Sequence, residues 1–227
     1  MSKILFVVSA ATNWTLADGT QHPTGFWAEE LLAPYRLFTE AGDTVEFATP
    51  GGVAPVADEA SLAPEMNDGN DVRPELDAID ALKQPLNLSD VALDDYDAVF
   101  YPGGHGPMED LAVDATSGKL IADTLAAGKP VAIVCHGPAA LLPARDENGD
   151  PVVKGRKLTA FSNEEERAGG NADNAKWLLE DRLREDGAEL SVGEAWQPNV
   201  VVDGDLLTGQ NPASSKPLAE ELKKRLG

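Results

Sequence analysis

One cysteine, three histidines and a shortage of basic side chains mark this 227-residue chain. The single cysteine, Cys135, excludes an intrachain disulfide and suits a reducing, cytoplasmic setting. His22, His105 and His136 are scattered, with neither H-x-x-x-H nor paired-cysteine spacing, so no metal site is read from them. Eighteen Lys and Arg stand against thirty-nine Asp and Glu, a formal charge of −21. That balance lacks the basic footprint that nucleic acid requires, and its plain meaning is a solvated, self-repelling surface. No apolar run approaches the roughly 20 residues that cross a bilayer, so no membrane partner is expected. The opening MSKILFVVSAATNW places a short apolar run behind one lysine, and it reads better as a first strand than as a signal peptide.

What is present is the composition of a globular domain, 42% hydrophobic and 25% charged. Strand-like and helix-like runs alternate. Strands are expected at Ile4–Ser9, Thr44–Ala48, Ala98–Tyr101, Val131–Val134 and Lys157–Phe161. Helices are expected at Gly25–Glu40 (with a kink at Pro34), Ser117–Ala127, Ala172–Glu185 and Ala213–Leu226. Glu189–Val192 looks extended, and Val200–Val202 with Leu206–Thr208 flank a hairpin turn at Asp203-Gly204-Asp205. The alternation implies an α/β fold with a mostly parallel central sheet and helices on both faces. One domain spanning 1–227 is expected, with 51–97 as an insertion or a mobile surface segment. Ligands of such sheets bind at the carboxyl ends of the strands.

The stretch VAIVCHGPAALL carries the chemistry. Val131–Val134 is a short apolar run of the kind buried on both sheet faces. Gly137 suits a tight turn, Pro138 the first turn of a helix, and Ala139–Leu142 its continuation. Cys135 therefore sits on a strand-to-helix turn built like a nucleophile elbow. There, backbone N–H groups and the positive helix end would favour its thiolate. The alternative is a buried, inert cysteine that packs as a small hydrophobe. His136 adjoins it, and His105 lies in the glycine-rich loop PGGHG after the Ala98 strand, where Gly103 and Gly104 let backbone N–H groups approach an oxyanion. A phosphate cradle is disfavoured because PGGHG lacks the Walker lysine and the G-x-G-x-x-G spacing. Glu30, early in the first helix, falls near the same sheet edge, where a carboxyl group could hydrogen-bond the thiol or move protons. The run Glu164-Glu165-Glu166 reads either as an acidic first helical turn or as the source of a carboxylate that orients His136.

Taken together, TGFWAEELLAPY, VEFATPGG, AVFYPGGHGPMEDL, VAIVCHGPAALL, GRKLTAFSNEEER and LLTGQNPASS resemble the ThiJ/PfpI superfamily of the glutamine-amidotransferase-like class. More narrowly they resemble its heat-shock-protein-thirty-one-like glyoxalase III branch. The resemblance implies a flavodoxin-like sandwich, a homodimer, and conversion of the small dicarbonyl methylglyoxal to D-lactate without glutathione, metal or organic cofactor. It implies that Cys135 is the nucleophile and His136 the general acid/base, with Glu30 bonding the thiol. Oxyanion N–H groups would come from Gly104 and His136. Counting from Phe161, Glu166 matches the acid that orients His136, with Glu165 as the alternative. The same site would also suit a cysteine amidohydrolase, a peptidase or a protein deglycase. A stress-induced holdase chaperone and a redox sensor are the non-catalytic alternatives.

Overall fold

Alternating side chains in the first strand set the layering of the computed structural model, which describes residues 1–227. In β1 (Lys3–Val7), Ile4 and Phe6 enter one apolar cluster while Leu5 and Val7 enter another across the sheet. A strand buried on both faces needs helices on both faces, and the rest of the chain supplies them. A hairpin of β2 (Asn13–Thr15) and β3 (Gln21–Pro23) precedes α1 (Ala28–Glu40) and β4 (Thr44–Thr49). Two short helices, α2 (Arg73–Ala78) and α3 (Asp80–Lys83), lead to β5 (Leu86–Asn87) and β6 (Ala98–Tyr101). After α4 (Gly106–Glu109) and α5 (Ala115–Ala126) comes β7 (Val131–Val134). The last third contains β8 (Lys157–Leu158), α6 (Asn163–Ala168), α7 (Leu179–Glu185), β9 (Glu189–Leu190), β10 (Val200–Asp203), β11 (Leu206–Gly209) and α8 (Ser215–Leu226).

Seven strands form one sheet in the order β10-β11-β7-β6-β1-β4-β5, parallel except for the β10–β11 hairpin. This is the α/β architecture expected from the alternation. Helices α1 and α8 cover one face through Leu31, Phe38, Leu218 and Leu222. Helix α5 covers the other through Leu120 and Ile121. Phe6 sits at the centre of the first face, with Phe100 stacked at 4.8 Å and Phe47 and Phe38 edge-on at 5.6 and 6.2 Å.

Several local expectations change. Helix α1 starts at Ala28 rather than Gly25, because Phe26 is tied as a β-bridge to Ala57, its N–H donating to the Val56 carbonyl. The helix is continuous through Pro34, whose missing N–H leaves the Glu30 carbonyl without its i+4 donor. Of Lys157–Phe161 only Lys157–Leu158 is a strand, and it pairs with β9 outside the main sheet. The remainder belongs to no strand, and the Phe161 N–H reaches the Cys135 carbonyl at 2.9 Å. Ala172–Glu185 is broken, because the Asn174 carbonyl accepts the Ala17 N–H at 2.8 Å and the chain extends from Ala175 before α7 begins. The stretch 51–97 supplies the edge strand β5 and places Leu62, Val72, Ile79 and Leu82 in the core.

Phe6→Ala removes a ring that contacts three others. The expected cost is about 3–5 kcal/mol of unfolding free energy, read by urea denaturation. A loss below about 1 kcal/mol would contradict the packing described.

Candidate active site

Three adjacent strands, β1, β6 and β7, end beneath one cluster of polar groups. Cys135 directly follows β7 and has φ +60°, the left-handed region that non-glycine residues rarely occupy. Its N–H donates to the Gly209 carbonyl at 2.9 Å, and its own carbonyl accepts the Phe161 N–H. Backbone partners on both sides thus hold the strained residue in place. The left-handed turn falls on the cysteine itself, not on Gly137. Gly137 is needed for space instead, since a Cβ there would lie 2.8 Å from Ile133 Cγ2 and 3.0 Å from the Tyr101 carbonyl oxygen. Only a short helical turn, Gly137–Leu141, follows the elbow. The donors that matter are therefore single backbone N–H groups rather than the end of a long helix.

Cys135 Sγ lies 3.3 Å from His136 Nδ1, and His136 Nε2 lies 2.6 Å from Glu166 Oε2. A carboxylate only accepts, so Nε2 carries the proton and Nδ1 of the neutral ring turns its lone pair toward the sulfur. Burial lowers the His136 pKa, and the charge of His105 lowers it further, against the pull of Glu166. The ring is thus held in the form that can take the thiol proton. Burial would raise Glu166, but the two histidines outweigh it and hold this carboxyl well below the usual range.

Glu30 is the opposite case. Fully buried in the first turn of α1, it is pushed up to about 8 by desolvation, with the neighbouring Cys135 thiol and the Gly103 N–H pulling it partly back. At neutral pH it is a carboxylic acid. Its Oε2 accepts the Gly103 N–H at 2.6 Å, while the buried Oε1 makes no hydrogen bond. Burial and, after it, the charge of an ionised Glu30 raise the Cys135 thiol well above its ordinary range, and the backbone N–H groups of Gly104 and His136 pull it down only in part. Protonation of Glu30 removes the repulsion and leaves the donors. The close approach depends on two glycines. A Cβ on Gly103 would lie 2.8 Å from Glu30 Oε2 and from the His136 nitrogen, and one on Gly104, at φ +85°, 2.4 Å from the Gly25 carbonyl oxygen.

The fold thus brings together Cys135, His136, Glu30, Glu166, Gly103, Gly104 and His105. The Gly103 N–H is committed to Glu30, so the N–H groups free to follow charge on the reacting atoms are those of Gly104 and His136. The three glutamates of α6 separate. Glu164 faces solvent and Glu166 bonds His136. Glu165 points the other way. It accepts from the Ser162 N–H and Oγ, the Gln210 and Asn211 side-chain amides and the Trp196 N–H, at 2.8–3.1 Å. It ties the loop at 193–199 and the segment after β11 to the start of α6.

Neighbours that sequence reasoning did not single out form an aromatic chain. Trp14 stacks on His105 at 4.5 Å, His105 packs tilted on His136 at 4.1 Å and His136 tilted on Phe161 at 4.2 Å, with Trp196 edge-on to Phe161 at 5.6 Å. Trp14 comes from the β2–β3 hairpin, whose Asp18-Gly19 turn signal was readable in the sequence. The histidines, scattered along the chain, converge in part. Polar atoms of His105, His136 and Glu166 lie within 4.8 Å of one another because both rings bond the one carboxylate. The Nε2 atoms of both rings are engaged with the carboxylate.

Residues 23–225 match the DJ-1/PfpI family. Glyoxalase 3 of Candida albicans is 30% identical over 234 residues, covering 98% of this chain and 97% of the relative. The glutathione-independent glyoxalase HSP31 of Saccharomyces cerevisiae is 30% identical over 223 residues, covering 94% and 93%. Among solved structures, glyoxalase III from Candida albicans superposes with a TM-score of 0.81 at 26% identity, covering 98% of this chain and 96% of that one.

The raised Glu30 carboxyl carries a stability cost whose sign is fixed. Between its unfolded value of 4.5 and about 8, the folded protein keeps a proton that the unfolded chain releases. Stability is therefore present in full below pH 4.5 and is lost as pH rises through that window. Glu30→Gln, neutral at every pH, is expected to be more stable than the wild type by roughly 3 kcal/mol at pH 7, with the difference vanishing near pH 4. Urea unfolding at both pH values checks this, and equal stability at pH 7 would contradict it.

Proposed function

The chain belongs to the DJ-1/PfpI family, and we propose that within it the protein is a glutathione-independent glyoxalase converting methylglyoxal to D-lactate through Cys135. The observation that carries the reading is the pair of carboxyl groups flanking one elbow thiol. Neutral Glu30 stands on one side, and the ionised Glu166, acting through His136, on the other. An isomerisation that moves a proton between neighbouring carbons needs one group that gives and one that takes at the same pH, and this site has both. Access favours a small substrate, since Cys135 is only 3% exposed and His136 only 2%. That burial disfavours the peptidase reading.

The reaction follows from these groups. His136 Nδ1 takes the thiol proton, and the thiolate attacks the aldehyde carbon. The aldehyde oxygen, stabilised by the Gly104 and His136 N–H groups, receives that proton and becomes the hydroxyl of a hemithioacetal. His136 then removes the hydrogen from the same carbon while Glu30 protonates the neighbouring carbonyl oxygen, giving an enediol. Protonated His136 delivers its hydrogen to the second carbon. Glu30, now a carboxylate, recovers a proton from the first hydroxyl, which becomes the carbonyl of a lactoyl thioester. Water activated by His136 attacks that carbonyl, the thiolate leaves and is reprotonated, and lactate departs. A homodimer in a reducing cytoplasm is the setting we assign to this enzyme, in line with the resemblance and the lone cysteine. No helix is long and apolar enough to cross a membrane.

The test is D-lactate formation from methylglyoxal in the absence of glutathione. The wild type is expected to form it and Cys135→Ala to form none. Glu166→Gln can force the wrong His136 tautomer and is expected to lose at least about a hundredfold in kcat. No D-lactate from folded, reduced wild type would overturn the function. D-lactate from Cys135→Ala would overturn the mechanism.

A further inference from the structure

Glu166 serves two imidazoles, and the proposed chemistry uses only one. His136 Nε2 bonds Oε2 at 2.6 Å, and His105 Nε2 bonds Oε1 at 2.9 Å. His105 lies against His136 at 4.1 Å between ring centroids and is backed by Trp14 at 4.5 Å with nearly parallel planes. Its side chain is 16% exposed, against 2% for His136 and 6% for Glu166. The sequence places His105 and Glu166 in different segments, and the fold sets the PGGHG loop against α6 so that they meet.

We propose that His105 is a positioning residue that occupies one oxygen of Glu166, fixes the other on His136, and weakens the hold of the carboxylate on the His136 proton. The inference rests on the glyoxalase reading for its kinetic consequence, not for its geometry. A hydrogen bond to Oε1 draws negative charge from the carboxylate, so Oε2 stabilises an imidazolium less. A protonated His105, one ring away, also repels the proton on His136, in keeping with the lowering of His136 by His105. Both effects leave the His136 Nδ1 lone pair available to the thiol at a pH where an unshared glutamate would keep the ring protonated. The groups facing His105 are Glu166 from α6, His136 from the elbow, the His22 ring from β3 at 6.2 Å edge-on, and the uncharged Trp14 indole from β2.

Two variants separate positioning from packing. His105→Phe keeps a ring against Trp14 and loses the donor, whereas His105→Gln keeps an N–H donor near the same place. The acid limb of the kcat/KM profile for methylglyoxal reports protonation of His136. In His105→Phe that limb is expected to move up by about one pH unit, a roughly tenfold loss below the limb with little change above it. In His105→Gln it should stay close to the wild type. A limb that does not move, a loss equal at every pH, or identical behaviour of Phe and Gln would overturn the proposal. Nitrogen-15 NMR titration of the imidazoles reads the same shift without any substrate, so a wild type that forms no D-lactate would refute the glyoxalase reading and leave this one testable. In the wild type alone, His105 is expected as the Nε2–H tautomer when neutral, and an Nδ1–H tautomer would overturn the assignment even if neither variant folds.

Discussion

Everything in this site depends on one unfavourable backbone conformation. A left-handed cysteine costs on the order of 1–3 kcal/mol, and the fold meets that cost with hydrogen bonds from two sides, at Gly209 and Phe161. In exchange the Sγ leaves the strand line and meets three things at once: the neighbouring imidazole, the N–H groups of the elbow and the PGGHG loop, and the first turn of α1. Adjacent residues on a strand point to opposite faces. Only the left-handed turn lets Cys135 and His136, neighbours in sequence, face each other across 3.3 Å.

Around that turn the protein arranges two carboxyl groups with opposite titration. Glu30 is enclosed by α1 and the Gly103 backbone and stays neutral because nothing nearby compensates its charge fully. Glu166 is almost as buried but stands between two imidazoles and stays ionised. Identical side chains thus acquire opposite roles from their surroundings alone. A third glutamate, Glu165, takes no part in this chemistry and fastens the loops that surround it.

The layering was legible in the sequence because burial on both faces leaves continuous apolar runs, as in Val131–Val134, and helices between them leave a longer period. The elbow was legible for the same local reason, although the reading assigned the tight turn to Gly137. Sequence reasoning gives left-handed geometry to glycine, while here distant backbone partners impose it on a cysteine. Helix Ala172–Glu185 and strand Lys157–Phe161 failed similarly, where a tertiary hydrogen bond at Asn174 and one from Phe161 to the elbow overrode local periodicity. Glu165 and Glu166 could not be separated by composition, since neighbours on a helix differ only in direction. The link from His105 to Glu166 left no local trace, because it exists only where the PGGHG loop comes against the first turn of α6.

The central claim is that substrate is carried on the elbow sulfur. Mass spectrometry of the protein, acid-quenched while it consumes methylglyoxal, tests that directly, since the chain has one thiol. The Cys135 peptide is expected to gain the mass of one substrate, as the lactoyl thioester. D-lactate accumulating while the Cys135 peptide never carries that mass would contradict it.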